Sequence, residues 1–532
     1  MRTVVNDDLG PDGVDASEEG QVADEGAAGL GRRLPPWAAT AGVAAAVAVG
    51  IVARFVQRSP LWLDEALSVN IARLPVSDLL EALWHDGHPP LYYLLLHFWM
   101  EVVGESDVTV RALSGIISVA TLPLAWVAGR RLAGAAGARW AVVALALSPF
   151  AVRYGTETRM YALVMFLVLA GYLLLTDALE RPTWGRLGGL TLISGLLLLS
   201  HYWAFYLVAA VGLVLVLRAW RRPADRASTV RVTVAVAAGG LLFLPWIGGF
   251  LYQSGHTGTP WGSPFRPTAI VQTTFVEMGG GSVTEASLYG GVLLVLSLLG
   301  LLAVRAAGPI VDLDMRTAPT VRWELAVVIL VLAVGAVIGY ATNATFQGRY
   351  AATLVPLVLL AVAVGLARLP GTAALVAGGV FVALSLFGIV WVNYYQRTQS
   401  ADVVAAVRDR AQPGDVVVYC PDQLGPSYSR EMPDGLVEMA YPTLGAPDRV
   451  DWVDYAERNG AADVGTLAQD ILAEADGHAV FMVWMPDYNT YGTQCEDLVN
   501  ALGLTENLVV PDSAKFFEPA YLHWRPGTTP AG

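Results

Sequence analysis

Charged residues are scarce in this chain: Asp, Glu, Lys and Arg make up 15% of its 532 residues, against 55% hydrophobic residues. So few charges, together with a mean hydropathy of +0.51, exclude a soluble globular protein. Long apolar segments of this kind are stable in a bilayer, where they span the hydrocarbon core as helices. The composition therefore predicts a polytopic α-helical membrane protein with polar parts attached to it.

Basic residues are also few at both ends of the chain. Residues 1–33 hold 8 acids and 3 arginines, and residues 396–532 hold 21 acids and 8 basic residues. The net charge of -13 thus belongs to the parts outside the membrane. Because no basic surface is indicated there, nucleic acid is excluded as a partner.

The amino-terminal arm, residues 1–34, has almost no large apolar side chain and is predicted to be disordered. It lacks the charged n-region and the short h-region of a signal peptide. Arg32 and Arg33 precede the first apolar segment, so the positive-inside rule predicts that this acidic arm is cytoplasmic. The loop that follows the first segment is then extracytoplasmic.

Residues 35–395 are predicted to form a transmembrane domain, because long apolar runs recur throughout them. The runs lie near 37–56, 108–128, 136–153, 158–180, 187–200, 202–219, 229–251, 286–304, 323–341, 349–367 and 372–394. The positions of the basic clusters fit about 11–13 transmembrane helices, with segment 89–104 not crossing the membrane. If segment 89–104 crosses, every later loop changes sides unless another span compensates.

The predicted first extracytoplasmic loop, residues 57–90, carries a pair of adjacent carboxylates, Asp64 and Glu65, and later His88 before two prolines. A carboxylate at a membrane face can act as a general base, although acids also favour the first turn of a helix. Other polar residues are predicted on the same side and are candidates for substrate binding. They are Glu157, Arg159, Tyr161, His201, Arg349 and Tyr350. His201 could equally belong to an interfacial aromatic belt, and Arg349 could anchor a helix at the headgroups.

Residues 396–532 have the composition of a small globular domain with α/β alternation. The pattern predicts helices at 401–411 and 494–502, and buried strands at 415–419 and 479–485. The two cysteines of the chain, Cys420 and Cys495, follow a strand and begin a helix. Parallel strands would bring them to one sheet edge, where a disulfide is geometrically feasible; two unpaired thiols are the alternative.

Several segments resemble the GT-C membrane glycosyltransferases, and within them family 39, the protein O-mannosyltransferase and aminoarabinose-transferase group. The resemblance covers roughly residues 36–395. The segments are Trp62-Leu63-Asp64-Glu65-Ala66, His88-Pro89-Pro90-Leu91-Tyr92-Tyr93, Arg111-Ala112-Leu113-Ser114, Glu157-Thr158-Arg159-Met160-Tyr161 and Gly348-Arg349-Tyr350 with Pro356. The first two together are the most specific, whereas the others are individually weak.

The resemblance implies an inverting transfer of a mannose-like hexose or a pentose from a polyprenyl-phosphate donor to an extracytoplasmic lipid, glycan or protein acceptor. Asp64 would be the general base, with Glu65 the second catalytic candidate. Arg349 and Arg159 would stabilise the departing phosphate. The resemblance would place the active site outside the cytoplasm, and the charge-based topology places the carboxyl-terminal α/β domain on the same side.

Two questions stay open at the level of sequence. Glu65 and His88 could hold a divalent metal ion, yet no spacing has the regularity of a metal motif, and a protein base with arginines could serve without one. The alternative function is a polytopic transporter or a flippase for lipid-linked sugars. Transporters place charges within their spans, whereas here the charges gather at one face, which favours an enzyme.

Overall fold

The structure, a computed structural model, describes residues 36–259, 262, 266–281, 283–307, 310–316, 320–342 and 344–528. The predicted disordered arm, residues 1–34, lies outside the described residues. The chain divides into two compact units, Met1–Ala45 and Ala46–Gly532. The site described below belongs entirely to the second unit.

Helices dominate the chain up to residue 395. They are α1 (Pro36–Ala53), α2 (Leu63–Ala72), α3 (Val76–Trp84), α4 (Leu91–Val103), α5 (Asp107–Ala146), α6 (Pro149–Gly155), α7 (Tyr161–Glu180), α8 (Trp184–Leu198), α9 (Trp203–Arg221), α10 (Arg226–Phe243), α11 (Ile247–His256), α12 (Pro267–Met278), α13 (Thr284–Leu302), α14 (Arg322–Thr342), α15 (Val355–Arg368) and α16 (Gly371–Tyr394). A short antiparallel pair, β1 (Ala303–Ala307) and β2 (Ile310–Leu313), lies between α13 and α14.

The helical segments have the length and composition of a polytopic membrane protein. In the described part of the chain, seven are long and apolar enough to cross a membrane. Four shorter apolar helices accompany them: Trp37–Ala53, Leu91–Val103, Trp184–Leu198 and Val355–Arg368. Helix α15 is the most enclosed, since every residue from Val355 to Leu366 is buried. The predicted fold class is therefore confirmed.

Helix α5 consists of two halves that fold back on each other. Ala133 and Gly134 have non-helical backbone angles, and Gly134 adopts a positive φ of 62°, which glycine tolerates best. A Cβ atom on Gly129 would lie 2.4 Å from the carbonyl oxygen of Gly137, so this close approach requires glycine. The halves correspond to the separate apolar runs predicted near 108–128 and 136–153.

The second of those runs ends earlier than predicted. Ser148 caps α6 by accepting a hydrogen bond from the backbone N–H of Ala151, and Pro149 follows at the first helical position. Both residues favour a helix start, so a new short helix begins there. The Glu157-Thr158-Arg159 segment follows shortly after the end of helix α6.

From residue 396 the chain forms strands and short helices. They are β3 (Gln396–Thr398), α17 (Ser400–Arg408), β4 (Val416–Cys420), α18 (Gly425–Tyr428), β5 (Val437–Ala440), α19 (Tyr455–Gly460), α20 (Val464–Ala475), β6 (Val480–Trp484), α21 (Gln494–Ala501), β7 (Glu506–Val509), β8 (Phe516–Glu518) and β9 (Tyr521–Arg525). Five strands form one sheet in the order β5-β4-β6-β9-β7, and β3 pairs with β8 in parallel. The predicted α/β alternation is thus observed.

The two cysteines form a disulfide, with 5.6 Å between the Cα atoms of Cys420 and Cys495. Strand β4 is parallel to both of its neighbours, β5 and β6, and Cys420 ends it at the carboxyl edge of the sheet. Helix α21 follows β6 and starts at the same edge, as the sequence suggested. The disulfide therefore ties the end of the central strand to the helix packed beside it.

The carboxyl-terminal domain, residues 396–528 as described, packs directly on the loop 57–90. The side chain of Asn70 donates a 2.6 Å hydrogen bond to the carbonyl oxygen of Asp448, and the backbone N–H of Trp452 donates to the carbonyl oxygen of His85. Trp62 contacts Phe517 edge to face. Because these contacts surround α2 and α3, the domain closes over the carboxylate pair.

Candidate active site

A cavity of about 1120 Å³ lies between the transmembrane helices and the carboxyl-terminal domain. One wall comes from the helical part of the chain and includes six residues predicted from the sequence: Asp64, His88, Arg159, His201, Arg349 and Tyr350. The opposite wall comes from the carboxyl-terminal domain. The volume lies slightly above the roughly 300–1,000 Å³ of ordinary small-molecule sites.

Asp64 and Arg349 form an ion pair on the cavity wall. The two atoms that make it, Asp64 Oδ2 and Arg349 Nη1, are 2.9 Å apart, and both side chains keep partial exposure, 14% and 17%. The guanidinium group of Arg349 also lies over the ring of Trp62. A carboxylate and a cation that face one cavity and remain partly accessible can both reach a bound substrate.

Arg349 is positioned by a short 3₁₀ turn, Gly348–Thr353. A Cβ atom on Gly348 would lie 2.5 Å from Cβ of Glu277, so only glycine lets the turn pack this closely against α12. The Glu277 carboxylate accepts a 2.6 Å hydrogen bond from the Tyr154 hydroxyl. In the Gly348-Arg349-Tyr350 segment, the glycine therefore permits close packing, and this packing positions the arginine at the cavity.

A chain of polar contacts runs from Arg159 through His88 to Asp86. Arg159 Nη2 lies 2.8 Å from His88 Nε2, and His88 Nδ1 lies 3.1 Å from Asp86 Oδ2. Because arginine has only donors, His88 Nε2 accepts and His88 Nδ1 donates, which defines a neutral imidazole. Burial and the charge of Arg159 lower the pKa of His88, in agreement with this form.

Asp86 was not singled out in the sequence, although it precedes His88 by two residues. Burial alone would raise the pKa of its carboxyl, but His88 and Arg159 hold that pKa well below its usual range. The Tyr93 hydroxyl also donates a 2.6 Å hydrogen bond to Asp86. Both nitrogens of His88 are therefore engaged, which does not suit the metal ligand that the sequence suggested.

Glu65 lies behind the cavity and not on its wall. Arg111 donates two hydrogen bonds to its carboxylate, at 2.8 and 2.6 Å, and Arg397 Nη1 lies 3.0 Å from the same group. The backbone N–H of Thr158 donates a further bond at 3.0 Å. Burial would raise the pKa of Glu65, but Arg111 and Arg397 lower it to about 2. This position corrects the expectation that Glu65 shares in catalysis or binds a metal, because its oxygens are already occupied.

Glu157 and Tyr161 are also fully buried and do not line the cavity. Among the described residues, Glu157 has Arg153 as its ion partner, 4.0 Å away, and neither carboxylate oxygen accepts a hydrogen bond. Burial raises the pKa of Glu157 to about 7, although Arg397 and Arg153 oppose the shift. Tyr161 packs its ring against His201 from behind. Direct substrate binding, predicted for both residues, does not fit these positions.

Part of the helical wall of the cavity consists of packed aromatic rings. The ring of Tyr350 packs against the rings of His201 and Trp203, with centroids 5.3 and 5.7 Å apart. His201 is buried and lines the cavity, so it is more than a residue of an interfacial belt. Burial, with the charges of Arg159 and Arg349 acting in the same direction, holds the pKa of His201 well below the usual range. The imidazole is thus neutral at physiological pH.

Within the described residues, no group of three His, Cys, Asp or Glu side chains is arranged to hold a metal ion. The predicted metal ligands, Glu65 and His88, are instead engaged by arginines. The residues present therefore do not fit a metal centre built on that pair.

The opposite wall consists of residues that no sequence motif indicated. Gln423, Tyr455, Tyr488, Phe517 and Glu518 all line the cavity. They lie between 359 and 454 positions after Asp64 in the sequence, and none stands in a pattern typical of a site. The only available signal was the shift to α/β composition after residue 395, which indicates a domain without assigning it a role.

Comparison with known proteins agrees with this architecture. Residues 87–248 match the family model described as dolichyl-phosphate-mannose-protein mannosyltransferase. Among solved structures, ArnT from Cupriavidus metallidurans bound to undecaprenyl phosphate is similar with a TM-score of 0.55 and 15% identity, over 92% of this chain and 98% of that one. The Archaeoglobus fulgidus oligosaccharyltransferase in complex with Zn and sulfate is similar with a TM-score of 0.50 and 12% identity, over 83% of this chain and 67% of that one.

No curated protein sequence matches the chain. At these identities the structural matches establish the fold, which is that of the GT-C glycosyltransferases. The family model adds a sequence match through the segment that contains His88, Glu157, Arg159 and His201. The resemblance seen in the sequence agrees with both comparisons, since part of the chain matches a mannosyltransferase family model and the fold is that of the GT-C enzymes. The seven helices long enough to span a bilayer in the described part of the chain fit a multi-pass membrane protein.

Proposed function

We propose that the protein transfers a mannose-like hexose or a pentose from a polyprenyl-phosphate donor to a hydroxyl group of an extracytoplasmic acceptor, with inversion at the anomeric carbon. The observation that carries the proposal is the Asp64–Arg349 pair, a base and a phosphate-binding cation on the wall of one large cavity. Undecaprenyl phosphate in the similar ArnT structure supports a polyprenyl-phosphate donor. The mannosyltransferase family model supports a mannose-like sugar.

Asp64 acts as the general base in this proposal. The acceptor oxygen attacks the anomeric carbon from the face opposite the phosphate, and its proton passes to the Asp64 carboxylate. The bond between the anomeric carbon and the phosphate oxygen breaks, and its electron pair stays on the phosphate. Attack opposite the leaving group inverts the configuration. Arg159 Nη1 lies 3.3 Å from the Asp64 carbonyl oxygen, so it helps to hold the base in place.

Arg349 stabilises the departing polyprenyl phosphate. Negative charge on the phosphate grows as the bond breaks, and a planar guanidinium group in a poorly solvated site binds such charge through two parallel hydrogen bonds. The side chain already lies within 2.9 Å of Asp64, so donor phosphate and catalytic base would be close together. As the phosphate takes over contacts with Arg349, the Asp64 carboxylate becomes free to accept the proton.

We also propose that the cavity opens on the extracytoplasmic side. Asp64 and the carboxyl-terminal domain line the same cavity, so an even number of crossings separates them. The described helices that fit are the two halves of α5 and eight more: α7, α8, α9, α10 with α11, α13, α14, α15 and α16. This count leaves α4, residues 91–103, outside the crossings. The Cys420–Cys495 disulfide also suits an oxidising compartment.

Labelling in intact cells tests this placement. A cysteine at position 78, on the exposed surface of α3, should react with a membrane-impermeant thiol reagent. A cysteine at position 312, in β2, should react only after permeabilisation, because Arg305 through Arg322 are predicted to be cytoplasmic. Labelling of position 312 in intact cells would reverse the orientation.

The function itself is tested by incubating membranes with labelled polyprenyl-phosphate sugars and comparing the wild-type protein with Asp64→Asn. Wild-type membranes should form a labelled lipid, glycan or protein, and the variant should not. A transporter or flippase would move the labelled donor across the membrane without forming a product. Such an outcome, or product formed equally by the variant, would reject the proposal.

A further inference from the structure

The carboxyl-terminal wall of the cavity differs in charge from the helical wall. Arg159 and Arg349 lie on the helical wall, together with three histidines and the carboxylates of Asp64 and Asp86. The described lining residues that come from the carboxyl-terminal domain include no Lys or Arg; they are acids, amides, aromatic rings and apolar groups. Because the described arginines that line the cavity all lie on the helical wall, an anionic substrate is expected to bind there. An uncharged substrate is expected to bind at the opposite wall.

Polar side chains on the carboxyl-terminal wall hold each other in a fixed arrangement. The Tyr488 hydroxyl donates to the side-chain oxygen of Gln423, and the Gln423 amide donates to the Tyr455 hydroxyl at 3.2 Å. Behind them, the buried Asp422 carboxylate accepts hydrogen bonds from Tyr455 and Tyr491 at 2.5 and 3.0 Å. Groups ordered in this way lose little conformational entropy when a ligand binds.

The segment that carries Gln423 is anchored at its start. Cys420 precedes Gln423 by three residues, and its disulfide to Cys495 ties β4 to α21. Gln423 itself is only 4% exposed although it reaches the cavity. A disulfide, a buried carboxylate and three ring hydroxyls therefore support one small polar surface that the catalytic step does not use.

Glu518 brings a second carboxyl group of the carboxyl-terminal domain to this surface. It is 9% exposed, lines the cavity and accepts a 2.8 Å hydrogen bond from the Ser427 hydroxyl. Its carboxyl lies within electrostatic reach of Asp64. The aromatic ring of the preceding residue, Phe517, packs on Trp62 beside Asp64, so the two walls meet here.

We propose that Gln423, Tyr488 and Glu518 form the acceptor subsite, and that the acceptor is an uncharged saccharide whose attacking hydroxyl faces Asp64. This inference rests on the proposed function and names the substrate class that the function leaves open. Gln423 and Tyr488 offer hydrogen bonds to sugar hydroxyls, which both donate and accept. Trp452, Tyr455 and Phe517 add apolar surface for the faces of sugar rings.

The protonation of Glu518 agrees with this role. Burial raises the pKa of its carboxyl to about 8, with the charge of Asp64 acting in the same direction. At neutral pH the group is mostly a carboxylic acid, which can donate one hydrogen bond and accept others. A neutral donor of this kind binds a hydroxyl without adding a second negative charge next to the base.

Other acceptor classes fit this wall less well. A phosphorylated lipid acceptor bound on this wall would bring its phosphate close to acids such as Asp454 and Glu457, and none of the described lining residues of the wall is a lysine or an arginine. An extended peptide acceptor can bind by adding a strand to the edge of a sheet. Among the described strands of the carboxyl-terminal domain, only β8 contributes to the lining, and its three residues offer a peptide little edge to pair with.

The experiment uses the purified full-length protein in lipid nanodiscs with labelled polyprenyl-phosphate mannose and polyprenyl-phosphate arabinose as donors. The acceptor probes are octyl mannoside, a serine- and threonine-containing peptide, and a phosphorylated glycolipid. Initial rates are measured against acceptor concentration for the wild type, Glu518→Leu and Tyr488→Phe, which each remove hydrogen-bonding groups. Glu506→Leu, on the exposed end of β7, is the matched control. Stabilisation by undecaprenyl phosphate, measured as a shift in Tm, reports donor binding separately.

The octyl mannoside should be the preferred acceptor, and each of the two variants should raise its KM by roughly 3- to 10-fold, the value of one hydrogen bond. The Tm shift with undecaprenyl phosphate should equal that of the wild type, and Glu506→Leu should change neither quantity. An unchanged KM in both variants, a fall in kcat without a change in KM, or transfer only to the peptide or the phosphorylated glycolipid would overturn the subsite. Absence of transfer from the donors to any probe by the wild-type protein would instead reject the proposed function.

Discussion

Asp64 and Glu65 are adjacent residues of α2, yet one lies on the cavity wall and the other in a buried ion cluster. Their side chains differ in exposure and in the groups that bind the carboxylate. The Asp64 carboxylate pairs with Arg349, and 14% of the Asp64 side chain stays exposed. Glu65 is completely buried and is contacted by two arginines and a backbone N–H. Successive helical residues point about 100° apart, so one carboxylate faces the cavity and the other faces the packed interior.

The different pairing of Asp64 and Glu65 explains how one carboxylate stays reactive although many charged groups surround it. A carboxylate that is fully paired in a buried cluster has no free oxygen for a proton, and its pKa is held low. The cluster connects α2, α5 and β3 through Glu65, Arg111 and Arg397, so it also fixes the helix that presents Asp64. Glu65 therefore serves the stability of the fold, whereas its neighbour Asp64 is left available for the reaction.

The largest expected effect is on turnover in Asp64→Asn. Asparagine keeps the size of aspartate but cannot take the proton, so kcat should fall by roughly 10² to 10⁴ with donor binding little changed. Steady-state rates with a labelled polyprenyl-phosphate sugar measure the change. Asp78→Asn, at an exposed position in the same loop, is the control and should behave as the wild type. Near-normal turnover in Asp64→Asn would assign the base to another residue.

Glu65→Gln should affect stability more than chemistry. It leaves Arg111 and Arg397 buried without their counter-charge, which should lower the free energy of unfolding by about 3–5 kcal/mol. Denaturation of the purified protein in detergent measures this loss, with the exposed Glu81→Gln as control. Because the pKa of Glu65 is lowered by folding, its contribution to the free energy of unfolding is fully present above about pH 4.5. That contribution is lost as the pH falls through about 2. A fully stable variant with reduced turnover would contradict the contrast drawn here.

Arg349→Lys should weaken the donor site by a smaller factor. Lysine keeps the positive charge but loses the planar pair of donors, so the apparent affinity for the polyprenyl-phosphate donor should fall by roughly tenfold, and that for the acceptor should change less. Titration with donor and acceptor separately gives both values. Arg130→Lys, at an exposed position in α5, controls for the substitution itself. An unchanged donor affinity in Arg349→Ala would reduce this residue to a membrane anchor.

The smallest expected effect is on the pH dependence of stability in Glu518→Gln. The pKa of Glu518 is raised by burial to about 8, so the folded protein binds more protons than the unfolded chain between about pH 4.5 and 8. Stability therefore falls as the pH rises through this range, and the variant should show a shallower fall. Asp422 and Glu157 have raised pKa values as well, so part of the slope should remain. Thermal melts across the range measure it, and a slope equal to that of the wild type would contradict the shift.

Part of the site could be predicted because its residues stand in local patterns. Asp64, His88, Arg159 and Arg349 all flank apolar helices in segments that resemble a known family, and all four line the cavity. Glu65, Glu157 and Tyr161 stand in the same segments but face the interior. Sequence position places a residue at a helix end, but the packing of neighbouring helices decides which way it points.

The sequence by itself determined the membrane-protein class, the apolar helices, the α/β alternation after residue 395 and the segments that carry the base and the arginines. These follow from local composition and periodicity, which hydrophobic burial translates directly into structure. Only the tertiary structure decided that Arg397 completes the pairing of Glu65 and that Gln423, Tyr488 and Glu518 line the same cavity as Asp64. Such contacts join residues more than 300 positions apart, and no local pattern specifies them, because they depend on how the carboxyl-terminal domain packs against the first loop.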